Sequence, residues 1–466
     1  MKETMPPLSP QHLFCPLPQN PRAPGEPTDA GLDRTGNLRP TPDRLADCPA
    51  RPRLTPAIEP PPQHFFTSFP PSHAVSYNSK LPRQCSFPRQ VAGDSMSQSK
   101  SVFSFFAGTG FLDLGFELSG FNIVYVNEIN PQFTKAYCYS RQRLNLPVPA
   151  YGCSEENVTN LTEGENQSRL KELILDARTT YELVGFIGGP PCPDFSIGGK
   201  NRGKEGENGK LSAAYIELIC RQQPDFFLFE NVKGLWKTAK HRAFFDELKC
   251  RLESAGYLLT EHLINALEYG VPQNRHRIIL IGFKADLLRS RGIPTLHEGA
   301  FPWEKHIKYP KEKVFSSRWP KTDRFEEDSE LPCPEGILQE LTVEHWFQQN
   351  DVLNHPNAEH YFKPRAGIKR FASVDEGDDS KKCYKRLHRW RYSPTACYGN
   401  NEVHLHPYKI RRLSVAEALA IQSLPKNFEL PPNLSLTTMF KTVGNGVPYL
   451  ASEALAQTIL DFLGAN

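Results

Sequence analysis

Ser101-Val102-Phe103-Ser104-Phe105-Phe106-Ala107-Gly108-Thr109-Gly110 decides how this chain folds. Its first six residues, Ser101–Phe106, form an apolar run of strand length, and the glycines after them favour a tight turn. From Phe111 the apolar positions predict an amphipathic helix through Leu118. Asn122–Asn127 reads as a second strand and Pro131–Arg143 as a second helix. The rhythm persists downstream. Leu183–Ile187, Phe226–Phe229 and Ile278–Phe283 are further short apolar runs, with helical stretches at Leu211–Gln222 and Ala239–Ser254 between them. Strands alternating with helices predict an α/β fold with a doubly wound, mainly parallel sheet. Such sheets bind ligands at the carboxyl ends of their strands. No internal repeat is evident.

Away from that unit the character changes. Residues 1–97 carry about half of the 42 prolines and show no helical or strand period. Such a composition cannot bury enough apolar surface to offset ordering entropy, so a disordered tail is expected. Met96-Ser97-Gln98 stands where an initiator would, so an over-long translation start is the other reading of that segment. Residues 98–283 form the expected ligand-binding domain. Residues 284–410 mix aromatics, prolines and charges without a period, as a smaller irregular domain would. Helical spacing returns at Val415–Gln422 and Tyr449–Leu463, within a closing segment, 411–466, expected to rejoin the first domain.

Hydrophobic residues make up 39% of the chain and its mean hydropathy is −0.50, in keeping with a soluble protein. No apolar run approaches the roughly 18 residues of a membrane span, and the N-terminus lacks a signal peptide's apolar core, so a cytoplasmic protein is expected. The eleven cysteines include no Cys-x-x-Cys pair, which signals neither a zinc site nor a disulfide framework. A net charge of +3 is too small to imply nucleic acid by itself, so any cationic surface must be local.

The chemistry concentrates where strands end. Phe106-Ala107-Gly108-Thr109-Gly110 lets backbone approach a ligand, although Gly-x-Gly alone is equally a plain turn. Glu128 closes the second strand twenty positions after Gly108, the spacing at which an acid takes ribose hydroxyls. A third glycine for a pyrophosphate is missing, because Phe111-Leu112 follows Gly110; a nucleoside cofactor without phosphates, such as S-adenosylmethionine, fits better. Cys192, in Gly188-Gly189-Pro190-Pro191-Cys192-Pro193-Asp194-Phe195-Ser196, stands on a rigid exit from a buried strand, unlike Cys333, which has similar neighbours but no strand before it. A lone cysteine is usually a small buried hydrophobe. Here, however, the basic Gly198-Gly199-Lys200-Asn201-Arg202-Gly203-Lys204 follows, a segment able to close over a polyanion. Glu230 leaves its apolar strand at the same sheet edge, where a lone glutamate would otherwise be surface charge. In Gln273-Asn274-Arg275-His276-Arg277, alternation sends Gln273, Arg275 and Arg277 to one side. Two guanidiniums there could hold a phosphate or a base carbonyl. Lys385-Arg386-Leu387-His388-Arg389-Trp390-Arg391-Tyr392 is expected to meet a phosphate backbone or to be a charged surface strand.

Taken in order, these elements resemble the DNA (cytosine-5) methyltransferases of the bacterial modification type. The resemblance rests on Phe106–Gly110, Pro191-Cys192 with Phe195-Ser196, Glu230-Asn231-Val232 and Gln273-x-Arg275-x-Arg277. Tyr392-Ser393-Pro394-Thr395, Arg412-Leu413-Ser414-Val415-x-Glu417-Ala418 and Gly444-Asn445-Gly446-Val447-Pro448 complete it, over about Val102 to Ile459. It implies a Rossmann-like methyltransferase domain with a target-recognition domain, using S-adenosyl-L-methionine and no metal. Cys192 would attack C6 of a flipped cytosine, Glu230 would contact its ring, and Arg275 and Arg277 would hold the base and the site. Phe106, Ala107, Gly108, Thr109, Gly110, Glu128, Asn157, Leu211 and Asn445 would line the donor pocket, while Ser196 and Lys200 would meet DNA. The implied partners are double-stranded DNA and a restriction endonuclease acting on the same site without a stable complex; a monomer is expected. Pro193, Phe111, Asn157 and Gly446 depart from the family's usual glutamine, glycine, aspartate and serine. The transfer-RNA branch of the family carries a Cys-Phe-Thr signature that this chain lacks. A catalytically silent regulator would have lost the cysteine, the glutamate or the glycines.

Overall fold

The structure, a computed structural model, describes residues 99–191, 207–364, 368–396, 398 and 402–464. Strand β1 (Lys100–Phe105) runs into the Phe106–Gly110 turn and helix α1 (Phe111–Leu118). Then come β2 (Phe121–Asn127), α2 (Pro131–Arg143), β3 (Cys153–Ser154), α3 (Gly164–Thr180) and β4 (Leu183–Gly188). The next elements are α4 (Glu207–Gln222), β5 (Phe226–Val232), α5 (Lys233–Lys237) and α6 (Ala239–Ser254). Strands β6 (Tyr257–Asn265), β7 (Gln273–Asn274) and β8 (His276–Lys284) follow.

Seven strands form one sheet in the order β3-β2-β1-β4-β5-β8-β6. All neighbours are parallel except β8, which runs antiparallel to both β5 and β6. The doubly wound, mainly parallel expectation therefore holds. The reversal of β8 matters for chemistry, because it brings that strand's first residues to the carboxyl edge where the parallel strands end.

Alternation along β1 feeds two cores. Val102 packs with Phe116, Phe121 and, from the C-terminal helix Tyr449–Gly464, Leu455 and Ile459. Phe103 and Phe105 face Ile174, Ile216, Phe245 and Leu248 across the sheet. Both faces are thus covered by helices, which is why these strands read as nearly continuous apolar runs.

The remaining chain is held by side chains more than by ladders. Beyond β8, the described strand pairing is the short β7 with Ser393–Pro394 (β9) and a few isolated bridges. Here the basic run 385–392 is corrected. Arg386, Leu387, His388 and Arg389 are buried, and the Arg386 guanidinium donates to the carbonyls of Phe371, Val374, His406 and Lys409. Arg389 pairs with Glu376 at 2.8 Å, and Arg391 donates to the carbonyls of Lys321 and Gly377. These cations satisfy loop carbonyls that lack strand partners, so they are spoken for internally. Lys385 alone of the run's lysines and arginines escapes this role, being half-buried.

Candidate active site

The turn after β1 is built around close approach. Gly110 has φ +80°, and a Cβ there would lie 2.4 Å from Nη1 of Arg141 and 2.6 Å from the Tyr137 ring. Gly108 has φ +58°, but a Cβ there would meet nothing within 4 Å, so its face is open. Phe106 also takes a left-handed conformation, φ 55°, with its ring edge-on to Tyr215. Beneath the turn lies a buried polar network that the sequence reading missed. Asp113 accepts from Ser104 Oγ at 2.7 Å and Tyr137 Oη at 2.9 Å, while Arg141 pairs with Glu117 at 2.8 Å. Burial raises the Asp113 carboxyl above its ordinary range, against the pull of Arg141. An aspartate on the first turn of an apolar helix was the available signal.

Glu128 stands at the end of β2, with one carboxylate oxygen accepting from Gly108 N–H and the other from Asn130 N–H, each at 2.9 Å. Burial raises its pKa, opposed by those two hydrogen bonds and by Lys441. Ile129, not singled out from sequence, is an apolar side chain 57% exposed beside it. Asn157, half-buried, caps a short turn of helix, its Oδ1 accepting from Thr159 N–H and Oγ1. Thr442 donates to Thr109 Oγ1 at 3.0 Å, which docks the helix Leu436–Asn445 on the turn; Asn445 is exposed at that helix's end. Leu211 is half-buried in the second turn of α4. S-Adenosylmethionine fits these residues: an open glycine face, a carboxylate with a lone pair left on each oxygen for ribose hydroxyls, and an uncovered apolar side chain adjacent. Glu128, Ile129 and the Phe106–Gly110 backbone would hold it.

The second cluster lies at the ends of β4 and β5. Glu230 is 6% exposed, and its Oε1 pairs with Arg277 Nε at 2.7 Å. The pairing follows from the sheet, since Val232 of β5 stands opposite Arg277 of antiparallel β8. The other oxygen, Oε2, would be 2.7 Å from a Cβ at Gly189, so glycine there lets the carboxylate reach the exit of β4. Asn231 Nδ2 donates to the Pro190 carbonyl at 3.4 Å and ties that exit to β5. Cys192, Ser196, Lys200 and the basic glycine-rich segment lie outside the described residues, beginning directly after Pro191.

Arg275 takes a different place from its expected one beside the base. It sits between β7 and β8, 1% exposed, donating to the carbonyls of Ala396 (3.3 Å), Gly444 (3.1 Å) and Gly446 (3.0 Å). Gln273 joins it, accepting from Ala396 N–H and donating to Gln422. The alternation argument failed because the strand breaks at residue 275. Three separated motifs meet on this one guanidinium, which positions the Gly444–Gly446 turn. The Arg412–Ala418 motif is likewise architectural. Ser414 and Glu417 form a reciprocal capping box for the helix Val415–Ile421, and Arg411 pairs with Glu417 at 2.7 Å.

Among the described residues no group of three or more His, Cys, Asp and Glu could hold a metal ion, and no helix is long and apolar enough to cross a membrane. A doubly wound sheet with a nucleoside-type pocket at one strand end and a paired carboxylate beside a Pro-Pro-Cys exit defines a methyltransferase-like enzyme. The sequence model of the C-5 cytosine-specific DNA methylases matches residues 100–461, and the chain belongs to that family. It is a DNA (cytosine-5)-methyltransferase, and its family uses S-adenosylmethionine as methyl donor. It is 56% identical over 362 residues to the type II methyltransferase M.NmeDI of Neisseria meningitidis serogroup C, covering 78% of this chain and 84% of that one. M.FnuDI of Fusobacterium nucleatum, also a type II methyltransferase, is 28% identical over 378 residues, covering 77% and 95%. Among solved structures, an E. coli protein described as a prophage-encoded DNA modification methyltransferase shares the fold. Its TM-score is 0.54 at 20% identity, covering 78% of this chain and all of that one.

Proposed function

We propose that this chain is the modification methyltransferase of a type II restriction–modification system, acting on C5 of one cytosine within a short duplex sequence. The observation that carries the reading is Glu230, locked by Arg277 with its second oxygen against Gly189, three residues before Cys192. The target base must leave the helix, at a cost of a few kcal/mol. Cys192 then adds to C6 as the thiolate. Glu230, presented by Arg277, hydrogen-bonds N3 and the exocyclic amine, so that electron density from the new bond reaches C5. S-Adenosylmethionine supplies an electrophilic methyl group when bound. Loss of the C5 proton lets the ring electrons expel the Cys192 thiolate, which regenerates the thiol site. Ser196 and Lys200 would meet DNA as their segment closes. Residues 284–410 would read the bases. Phosphate contacts would have to come from cations other than Arg386, Arg389 and Arg391, which loop carbonyls and Glu376 already occupy.

In keeping with this reading, the type II name of M.NmeDI accompanies 56% identity. The enzyme would act as a monomer in a bacterial cytoplasm, independently of any endonuclease sharing its site and without a metal. Bisulfite sequencing of DNA from a host expressing the protein tests it. One cytosine in one short sequence should be protected throughout. Protection scattered without sequence context, or methyl transfer to transfer RNA alone, would refute the proposal. Cys192→Ala should abolish transfer and leave donor binding largely intact.

A further inference from the structure

Two cysteines outside the methyl-transfer site face each other. Cys138 lies on α2, between Tyr137 and Arg141, which pack under the Gly110 turn. Cys153 lies on β3, opposite Val126 of β2. Both are free and exposed, and their thiols are in side-chain hydrogen-bonding contact. The guanidinium of Arg141 acts electrostatically on each. Strand β3 is two residues long and lies at the sheet edge, so it can yield as the sulfurs close to a bond of about 2.05 Å.

We propose that Cys138 and Cys153 form an oxidant-sensitive dithiol, a modification site that a peroxide converts to a disulfide. The roles within the pair differ. Contact with Cys153 and the Arg141 charge outweigh burial and lower the Cys138 thiol to about 6, which leaves it largely ionised at neutral pH. The same contact, with burial, pushes the Cys153 thiol up. Cys138 is therefore the attacking sulfur. Its thiolate displaces hydroxide from the peroxide: the S–O bond forms, the O–O bond breaks, and Cys138 becomes a sulfenic acid. Cys153 loses its proton to the released hydroxide, giving water, and its sulfur attacks that of Cys138. The S–S bond forms as the S–O bond breaks, and the second hydroxide leaves, to be protonated by solvent. The two sulfurs together lose two electrons and the peroxide gains them.

Position gives this chemistry a consequence for the enzyme. Helix α2 begins just after Asn130, whose N–H holds one oxygen of Glu128, and the Ser154 carbonyl accepts from Glu128 N–H at 3.0 Å. The disulfide would tie together the two elements that flank the donor-binding carboxylate, without consuming any residue assigned to catalysis.

The test is peptide mapping of the full chain after brief exposure to hydrogen peroxide, beside the Cys153→Ser variant treated with peroxide and a sulfenic-acid trap. Circular dichroism before and after exposure confirms that the chain stays folded. The expected result is a Cys138–Cys153 linked peptide, two hydrogens lighter than the separate peptides, which reduction dissolves. In Cys153→Ser the trap should label Cys138 ahead of the exposed Cys250. Three outcomes would overturn the proposal: no linked peptide, a link from Cys138 to another cysteine, or equal labelling of Cys138 and Cys250.

Discussion

Phe111 and Gly446 both depart from the family's usual residues, and the structure predicts that they depend on each other. A Cβ at Gly446 would lie 2.1 Å from Cδ2 of Phe111, 2.7 Å from Cε2 and 2.9 Å from Cγ. Carbon atoms in good contact stand about 3.5–4.0 Å apart, so ring or backbone must move by more than about 1 Å. The ring has little room. Phe111 is 2% exposed and stacks edge-on against Phe428 at 5.2 Å. Gly446 itself has φ −62° and ψ 147°, which any residue adopts, so the penalty for alanine is steric alone. Gly446→Ala should therefore cost about 3 kcal/mol, the upper end for overpacking. Phe111→Ala should cost about 3–5 kcal/mol through the cavity it leaves. In the double variant the new methyl occupies space the ring vacated, so the two costs should fall short of additivity by about 2 kcal/mol. Urea denaturation followed by circular dichroism measures all three. Because the Gly446 carbonyl accepts from Arg275, donor affinity should weaken in Gly446→Ala and recover in the double variant. Additivity within about 0.5 kcal/mol would refute the reasoning.

Other outcomes follow from the same geometry. Glu230→Gln keeps the shape but loses the charge that Arg277 holds, so methyl transfer should fall roughly 10²–10⁴-fold while donor affinity measured by calorimetry stays nearly constant. Arg275→Lys cannot span three carbonyls and should lose about 2–4 kcal/mol of stability in denaturant titration. Burial holds the Glu128 pKa above its ordinary value, and only the carboxylate accepts from two ribose hydroxyls. Donor affinity should consequently weaken as pH falls through that raised pKa, and Glu128→Gln should remove this acid limb. For folding the sign is reversed. A raised carboxyl pKa means the native state holds its proton longer, so this group's contribution to stability declines as pH rises from the unfolded to the folded pKa.

The sheet's organisation was readable because its strands are buried on both faces and so announce themselves as apolar runs. Helices Pro131–Arg143 and Ala239–Ser254 match their predicted bounds, the first opened by Asn130 and Pro131, an N-cap and N1 pair. What escaped the reading shows its limits. Helix α3 buries just Leu170, Ile174 and Ala177 in seventeen residues, too thin a stripe to register. Strand β6 is an edge strand with half-exposed Thr260 and Glu261 in its middle, which blurs the period. Strand direction is not encoded in apolar pattern at all, and the reversal of β8 is what puts Arg277 on Glu230. The basic run 385–392 misled because charge in sequence does not reveal burial. Arg386 is fully buried, and with its carbonyl partners around it desolvation lowers its pKa to about 10.

The central claim is a covalent bond between Cys192 and the target ring, formed beside Glu230. A duplex carrying 5-fluorocytosine at the methylated position tests it most directly, because fluorine cannot leave C5 as a proton does. With S-adenosylmethionine present, the account predicts a stable protein–DNA adduct whose peptide map places the nucleotide on Cys192 and a methyl group on the ring. A methylated product released without any adduct, or an adduct on a different residue, would contradict it.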